Sequence, residues 1–152
     1  MALTAPLARR WKIGVLKKTN KNGGELDKAI RREHADVQRS LAIKPVWLAK
    51  ILKGEKTLEI RGKQHSFAGE KIFLHETGSG LVKATATLQQ ARELTEIEKV
   101  QNGEALKATH YEKPWAWPLE DITVLEMPFG LSPEARCYCP TWVPRRRWER
   151  HP

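Results

Sequence analysis

Apolar and polar residues alternate in several short runs between residues 41 and 143, a pattern typical of half-buried β-strands. In "TLEIR", 57–61, Leu58 and Ile60 are predicted to face the core, whereas Glu59 and Arg61 share the other face of the strand. Glycine or proline lies near the ends of most runs and indicates turns. The predicted strands cover 41–44, 57–61, 69–77, 81–90, 113–119, 122–127 and 138–143.

Helical patterns occur in three places. Pro45 suits the first turn of a helix, apolar residues follow it at helical intervals, and Gly54 is positioned to end that helix. The run "TEIE", 95–98, matches a capping box and predicts a short helix that ends near Gly103. Residues 25–40 predict a polar, mostly solvated helix. Together these elements predict an α+β fold, a small mixed β-barrel with two or three short helices rather than a parallel βαβ sheet.

Charge divides the chain into three parts. The net charge is +9, and the ionisable residues give +6 over 1–40, zero over 41–143 and +3 over 144–152. We therefore predict a basic N-terminal arm plus polar helix (1–40), a folded domain (41–143) and a basic C-terminal tail (144–152), with flexible ends. A basic excess favours a polyanionic partner, and here it assigns the electrostatic contribution to the ends.

Composition limits the class of protein. No apolar run reaches the length of a membrane span and no secretory signal is recognisable, so we expect a soluble intracellular protein of the cytoplasm or nucleus, with no membrane partner. Residues 1–24 are basic and contain no acid, which fits a disordered arm, a mitochondrial or plastid transit peptide, or a segment with a structured role. The two cysteines, Cys137 and Cys139, are too few for a zinc site, and we expect free thiols, no metal and no cofactor.

The stretch "LKGEKTLEIRGK", 52–63, combines cations with a carboxylate. Lys56 and Arg61 offer a point charge and a planar fork of donors, whereas Glu59 between them is a poor ligand for phosphate. A carboxylate can instead accept from the amino group of a base, so the pattern indicates a site for a nucleobase or nucleotide. The competing interpretation is an ordinary Glu–Arg pair on a solvated strand face.

Aromatic and histidine residues extend this candidate site. Trp115 and Trp117 share one side of a predicted strand, where they either pack in the core or stack a base. His75 is either a structural histidine or part of the site, and Tyr111 is placed to reach the mouth of the cleft. The complete set of predicted ligand-binding residues is Lys56, Glu59, Arg61, Lys63, His75, Tyr111, Trp115 and Trp117.

Residues 41–143 resemble the ASCH (activating signal cointegrator homology) domain of the PUA-like superfamily. The resemblance rests on a helix followed by Gly54-x-Lys56-x-x-Glu59-x-Arg61, then on "GEKIFLHET", "EKPWAWPLEDITVLEMPF" and "CPTWV". It implies a small β-barrel with a cleft lined by the motif, and a partner that is RNA or another single-stranded nucleic acid. Some bacterial relatives are reported to be ribonucleases or amidohydrolases, and in them the lysine that matches Lys56 is thought to matter. The amidohydrolase pattern has threonine where this chain has Glu59.

Three functions follow from the sequence. The first is RNA binding, with selectivity from the cleft and salt-sensitive affinity from the ends. The second is a hydrolase acting on RNA or a modified nucleoside, in which Lys56 is catalytic. The third is a protein-interaction module, whose partner is another protein.

Overall fold

The computed structural model describes Ala29, residues 32–136 and residues 141–149. Short strands dominate this part of the chain, as the alternating pattern predicts. The strands are β1 (Arg39–Ile43), β2 (Leu58–Arg61), β3 (Lys71–Glu76), β4 (Leu81–Leu88), β5 (Arg92–Glu93), β6 (Trp115–Gly130) and β7 (Trp142–Pro144). The helices between them are α1 (Pro45–Leu52), α2 (Glu96–Gln101), α3 (Gly103–Ala108) and α4 (Arg145–Glu149), and a single 3-10 turn spans Pro133–Arg136.

One mixed sheet organises the described residues. Its strand order is β2-β6-β4-β3-β1-β7, and β5 also pairs with β6. Strands β1 and β3 run parallel, and the other pairs are antiparallel. The sheet curls into a half-barrel, which confirms the predicted α+β class and mixed sheet.

The sheet is buried on both faces. Its inner face and α1 form the largest apolar cluster, and a second cluster packs between the opposite face and α4. A third, smaller cluster joins β2 and β6 to α3. The largest cluster contains Leu41, Ile43, Leu48, Ile51, Ile72, Leu74, Ala84, Ala86, Leu88, Ala91, Trp117 and Leu119.

The helix signals in the sequence correspond to real caps. Pro45 occupies the first turn of α1, and Gly54 follows the helix with a φ of +77°, a conformation that glycine adopts without strain. At the start of α2, the amide of Glu98 donates to Thr95 Oγ1 at 3.2 Å, and the amide of Thr95 donates to Glu98 Oε1 at 2.9 Å. The predicted capping box is therefore confirmed.

The predicted strand pair 113–119 and 122–127 is one continuous strand, β6, of 16 residues. The expected turn is replaced by a bulge, where Asp121 has a φ of 50° and the register with β4 shifts between Thr85 and Thr87. The strand bends there without ending, because β4 pairs with it on both sides of the irregularity.

The helix predicted over 25–40 is too long. Arg32 and Glu33 are helical, residues 34–36 form a turn and β1 begins at Arg39. Val37 is buried in the second apolar cluster, which explains why the chain leaves the helix there. The rest of that helix, apart from Ala29, and the basic arm 1–24 lie outside the described residues, as do residues 137–140, which include both cysteines.

The C-terminal segment differs most from expectation. Residues 144–149 are not a flexible tail, because Pro144 pairs with β1 and α4 follows directly. Trp148 is fully buried in the second apolar cluster. Arg145 Nη1 donates to the carbonyls of Ala35 and Val37, at 3.0 and 2.6 Å. The domain therefore extends through α4, and only Arg146 and Arg147 of this helix's arginines are exposed.

Candidate functional site

Strand β2 carries two of the motif residues, Glu59 and Arg61, at the edge of the sheet. In the antiparallel pair of β2 and β6, Glu59 lies opposite Trp117 and Arg61 lies opposite Trp115. The two charged side chains are therefore on the same face of the sheet as the two tryptophans. Leu58 and Ile60 pack on the opposite face in the third apolar cluster. All four residues are buried, so the interpretation of Glu59 and Arg61 as a pair on a solvated face is wrong.

Glu59 lies between the two motif cations. Its Oε2 accepts from Arg61 Nε at 3.2 Å and from Arg61 Nη2 at 3.0 Å, which makes a two-donor contact. Its Oε1 is 3.7 Å from Lys56 Nζ. The structure thus brings Lys56, Glu59 and Arg61 together as one charged cluster, in which two cations share one carboxylate.

Arg61 also ties β2 to another part of the sheet. Its Nη2 donates to the carbonyl of Ala42, in β1, at 2.6 Å, and its guanidinium carbon lies 5.7 Å from the centroid of a Trp117 ring. The amide of Ala42 donates to the carbonyl of Thr141, immediately before β7. Arg61 therefore links the edge strand β2 to the region where β1 meets the start of β7.

Lys56 is buried and held by the backbone. Its Nζ donates to the carbonyl of Leu58 at 2.7 Å, and the ring of Trp47 lies 5.9 Å away. Burial lowers the pKa of Lys56 below its usual value; the charge of Glu59 opposes this shift and that of Arg61 adds to it. Removal of the Glu59 charge would thus favour the neutral amine.

His75 lies inside the molecule, in contrast to the ligand-facing position considered from the sequence. Its Nδ1 is 2.6 Å from Ser40 Oγ, and within the described part of the chain its Nε2 has no hydrogen-bond partner. Burial lowers the pKa of His75 to about 4, and the positive charge of Arg61 contributes to the shift. The structure does not bring His75 to a surface from which it would touch a ligand.

The two tryptophans of β6 belong to the core. Trp117 is 1% exposed, stacks on Trp142 with ring centroids 5.8 Å apart, and donates from Nε1 to the carbonyl of Lys63 at 2.8 Å. Trp115 is half-buried and packs against the same apolar cluster. The packing interpretation therefore fits both side chains, and Trp117 supports the backbone at Lys63.

Tyr111 and Lys63 are exposed beside the charged cluster. The Tyr111 ring lies against Gly62, so close that a Cβ on this glycine would be 2.5 Å from Tyr111 Cδ1. Glycine at position 62 thus allows the ring to lie directly over the end of β2.

Two cavities meet at these residues. One has a volume of about 320 Å³ and is lined by Arg61, Gly62, Lys63, Tyr111, Trp117 and Thr141. The other has a volume of about 210 Å³ and includes Lys44, Trp47, Glu59, Arg61, His110 and Tyr111 in its lining. Because Arg61 and Tyr111 line both, the two form one cleft, which we call the Arg61 cleft.

Sequence reasoning missed Lys44, Gly62 and Thr141 as cleft residues. Lys44 is the residue before α1 and has no pattern of its own that distinguishes it from other surface lysines. Thr141 reaches the cleft only because β7 pairs with β1, a contact between distant parts of the chain that no local pattern indicates.

No group of three or more metal-binding side chains occurs among the described residues, and no helix in this part of the chain has the length and apolar character needed to cross a membrane.

Comparison with known proteins places the chain in a family. No curated protein matches the chain. The family model described as ASCH domain matches residues 41–129, which is more than half of the sequence. The half-barrel fold agrees with this match, and the chain belongs to the ASCH domain family.

Proposed function

We propose that the chain binds single-stranded nucleic acid, specifically RNA, in the Arg61 cleft. The observation that carries the proposal is the junction of two cavities at a buried guanidinium and an exposed aromatic ring. Membership of the ASCH family supports RNA as the partner. This combination suits a ligand that has both a charged backbone and flat bases.

The charge balance of the cleft favours an anionic ligand. Glu59 is compensated within the protein by Lys56 and Arg61, so it adds little repulsion. Lys44 and Lys63 add positive charge to the lining. Among the described residues, Nη1 is the one guanidinium nitrogen of Arg61 without a hydrogen bond to protein, and it can donate to a phosphate or a base edge.

Tyr111 supplies the surface for a base. One side of its ring is against Gly62, and the side chain is still 37% exposed. Aromatic rings held in this way stack bases of any sequence, because every base has a flat π-face. In this proposal Tyr111 contributes affinity, whereas Arg61 and Glu59 determine how the base edge is read.

Binding of fluorescent uridine and adenosine homopolymers at two salt concentrations tests the proposal. Tyr111→Ala is expected to weaken binding by about fivefold or more. A factor of about five corresponds to the smallest contribution that stacking of one base usually makes to affinity. Lys63→Gln is expected to weaken binding and to flatten the salt dependence by about 0.7, the value for one phosphate neutralised on a single strand. Lys53→Gln is the matched control, because Lys53 is exposed just after α1 and lines neither cavity.

The proposal fails if Tyr111→Ala and Lys63→Gln bind as tightly as the unaltered chain. It also fails if Lys53→Gln weakens binding as much as Lys63→Gln, because the cleft would then contribute no more than general surface charge. Deoxyuridine polymers of the same length distinguish RNA from DNA, since only RNA offers the 2′-hydroxyl.

A second candidate function is hydrolysis of RNA or a modified nucleoside with Lys56 as the catalytic amine. One observation favours it, namely that burial lowers the pKa of Lys56 and so brings a neutral, proton-accepting amine closer to physiological pH. Incubation of the chain with RNA and with acylated cytidine, followed by product analysis, tests this function. The function is contradicted if the chain forms no product, or if a Lys56→Ala variant forms product as fast as the unaltered chain.

A further inference from the structure

We infer that the Arg61 cleft is one part of a longer groove that binds three consecutive nucleotides of a single strand. The inference rests on the proposed function and adds to it the length and path of the ligand. It is carried by a third cavity, which has Trp47 in common with the cleft.

The third cavity has a volume of about 500 Å³ and lies between α1 and the α2–α3 segment. Trp47 lines both this cavity and the 210 Å³ cavity. Arg61 and Tyr111 line both the 210 Å³ cavity and the 320 Å³ cavity. The three cavities therefore follow one another in series, with an aromatic side chain at each junction.

Aromatic side chains between successive compartments suit a strand of nucleotides. Bases stack on aromatic rings while the backbone continues past them, and this is how proteins bind single strands with little sequence preference. Tyr111 and Trp47 provide two such rings. Trp47 is half-buried and packs partly in the core, so its position is fixed in advance.

Lysines occur along the whole length of the groove. Lys63 lines the first compartment and Lys44 the middle one. The last compartment is lined by three lysines and two acidic residues, Lys50, Lys56, Lys107, Glu55 and Glu104. Lys50 is 3.4 Å from Glu104, whereas Lys107 makes no ion pair among the described residues. A cation in every compartment matches a chain of phosphates better than it matches a ligand with one charged end.

The size of the groove also favours a strand. The first and last compartments each fall within the range of roughly 300–1,000 Å³ that a complete small-molecule site occupies. A single nucleotide would fill one compartment and leave the other two to solvent. Three nucleotides, one in each compartment, use both aromatic junctions.

The test is the dependence of affinity on ligand length. Fluorescent uridine oligonucleotides of two, three, four and six nucleotides are titrated with the full chain at fixed salt. We expect affinity to rise about fivefold or more from two to three nucleotides, as one further base is stacked, and to rise less beyond that.

Lys107→Gln locates the far end of the groove. It is expected to weaken the trinucleotide and longer ligands more than the dinucleotide, because the dinucleotide can occupy the other two compartments. The salt dependence for the longer ligands should flatten by about 0.7, because one phosphate is no longer neutralised. The matched control is Lys99→Gln in the same segment, because Lys99 is an exposed lysine that lines none of the three cavities and pairs with Glu96 at 3.0 Å.

Two outcomes overturn the inference. A dinucleotide that binds as tightly as the hexanucleotide shows that the compartments do not act in series. Equal effects of Lys107→Gln and Lys99→Gln at every length show that the third cavity makes no contact with the strand. In either case Tyr111→Ala still reports separately on the Arg61 cleft, so failure of the longer groove is distinguishable from failure of the proposed function.

Discussion

Glu59 holds two cations in place within a buried cluster. Its two oxygens are directed to Arg61 and to Lys56, and all three side chains are shielded from water. A carboxylate in such a position offsets part of the repulsion between the two positive charges and fixes the orientation of the guanidinium. Glu59 therefore makes a structural contact with both cations, whether or not it also contacts a ligand.

Glu59→Gln is expected to destabilise the fold by about 3 kcal/mol or more, because the substitution leaves two buried cations without their shared anion. Urea denaturation measures the change. Glu96→Gln is the control, since Glu96 forms an exposed pair with Lys99 and its loss should cost less than about 1 kcal/mol. Equal stability of the two variants would mean that the buried cluster is not held by charge.

The same substitution also tests selectivity. The sequence predicts that Glu59→Gln changes discrimination among homopolymers more than affinity, because glutamine keeps the shape but replaces an acceptor with donors. Binding must be measured under conditions in which the Glu59→Gln variant is fully folded, as the urea denaturation curve shows. Unchanged ratios among the four homopolymers would limit Glu59 to its role in supporting Arg61.

His75 gives the fold a defined response to acid. Its folded-state pKa of about 4 lies below the usual value of 6.5, so below pH 6.5 the unfolded chain binds a proton that the folded chain excludes. Stability is therefore retained above pH 6.5 and lost as the pH falls towards 4, by about 3 kcal/mol in total for a shift of this size.

Denaturation midpoints of the unaltered chain and of His75→Gln between pH 7 and pH 4 measure this effect. The variant should show a shallower loss of stability with acid, even if it is less stable at every pH. His34 and His65 have pKa values lowered by burial and contribute in the same direction, so the difference between the two profiles isolates His75. If stability falls equally with acid in both proteins, the acid sensitivity does not arise from His75.

Strand β6 shows what sequence patterns predict at the level of elements and where they fail. Alternation identified β2 and β4, whereas β3 was identified as a short run, with three consecutive apolar residues, before the glycine turn at Gly78. It divided β6 because Asp121 and the residues around it resemble a turn, whereas pairing with β4 keeps them in the sheet. The capping box at Thr95 was recognisable because its chemistry is entirely local.

Helix α4 was missed for a related physical reason. Trp148 lies among arginines with no apolar neighbour at helical spacing, so the local pattern indicates a solvated tail. Its burial depends on Phe73, whose ring centroid is 5.8 Å away and which belongs to a strand far earlier in the chain. Contacts of this kind cannot be deduced from periodicity, and the same holds for Thr141 in the Arg61 cleft.

Trp148→Ala is expected to destabilise the domain by about 3–5 kcal/mol, as is usual when a buried aromatic side chain is removed from a core. Arg147→Ala is the neighbouring control; its side chain is exposed, and the expected change is within about 0.5 kcal/mol. Urea midpoints of the two variants decide whether α4 is part of the fold. A tail without a structural role would give two equally small changes.

The excess positive charge of the whole molecule lies in its two ends. The net charge of +3 over residues 144–152 is partly fixed in α4, where Arg145 bonds to backbone carbonyls. The +6 over residues 1–40 comes entirely from the segment 1–24, which carries six basic residues and no acid, because charges over 25–40 cancel. Removal of both ends would therefore combine loss of charge with loss of Trp148 from the second apolar cluster.

Deletion of residues 1–24 alone tests the electrostatic contribution of the N-terminal arm. We expect weaker binding of single strands at low salt, with the salt dependence reduced by about 0.7 for each phosphate that the arm neutralises. The urea midpoint should remain unchanged. Unaltered affinity and salt dependence would exclude the arm from binding, and loss of folding would assign it a structural role instead.

The shape of β7 has a consequence for behaviour in concentrated solution. An open sheet edge exposes unpaired amides and carbonyls, which another chain can extend into an aggregate. Here the edge strand is only three residues long, it ends in Pro144, which has no amide to donate, and the arginines of α4 follow at once. Short length, a missing donor and like charge all act against growth at this edge, so the segment that buries Trp148 in the core also disfavours pairing of β7 with another chain.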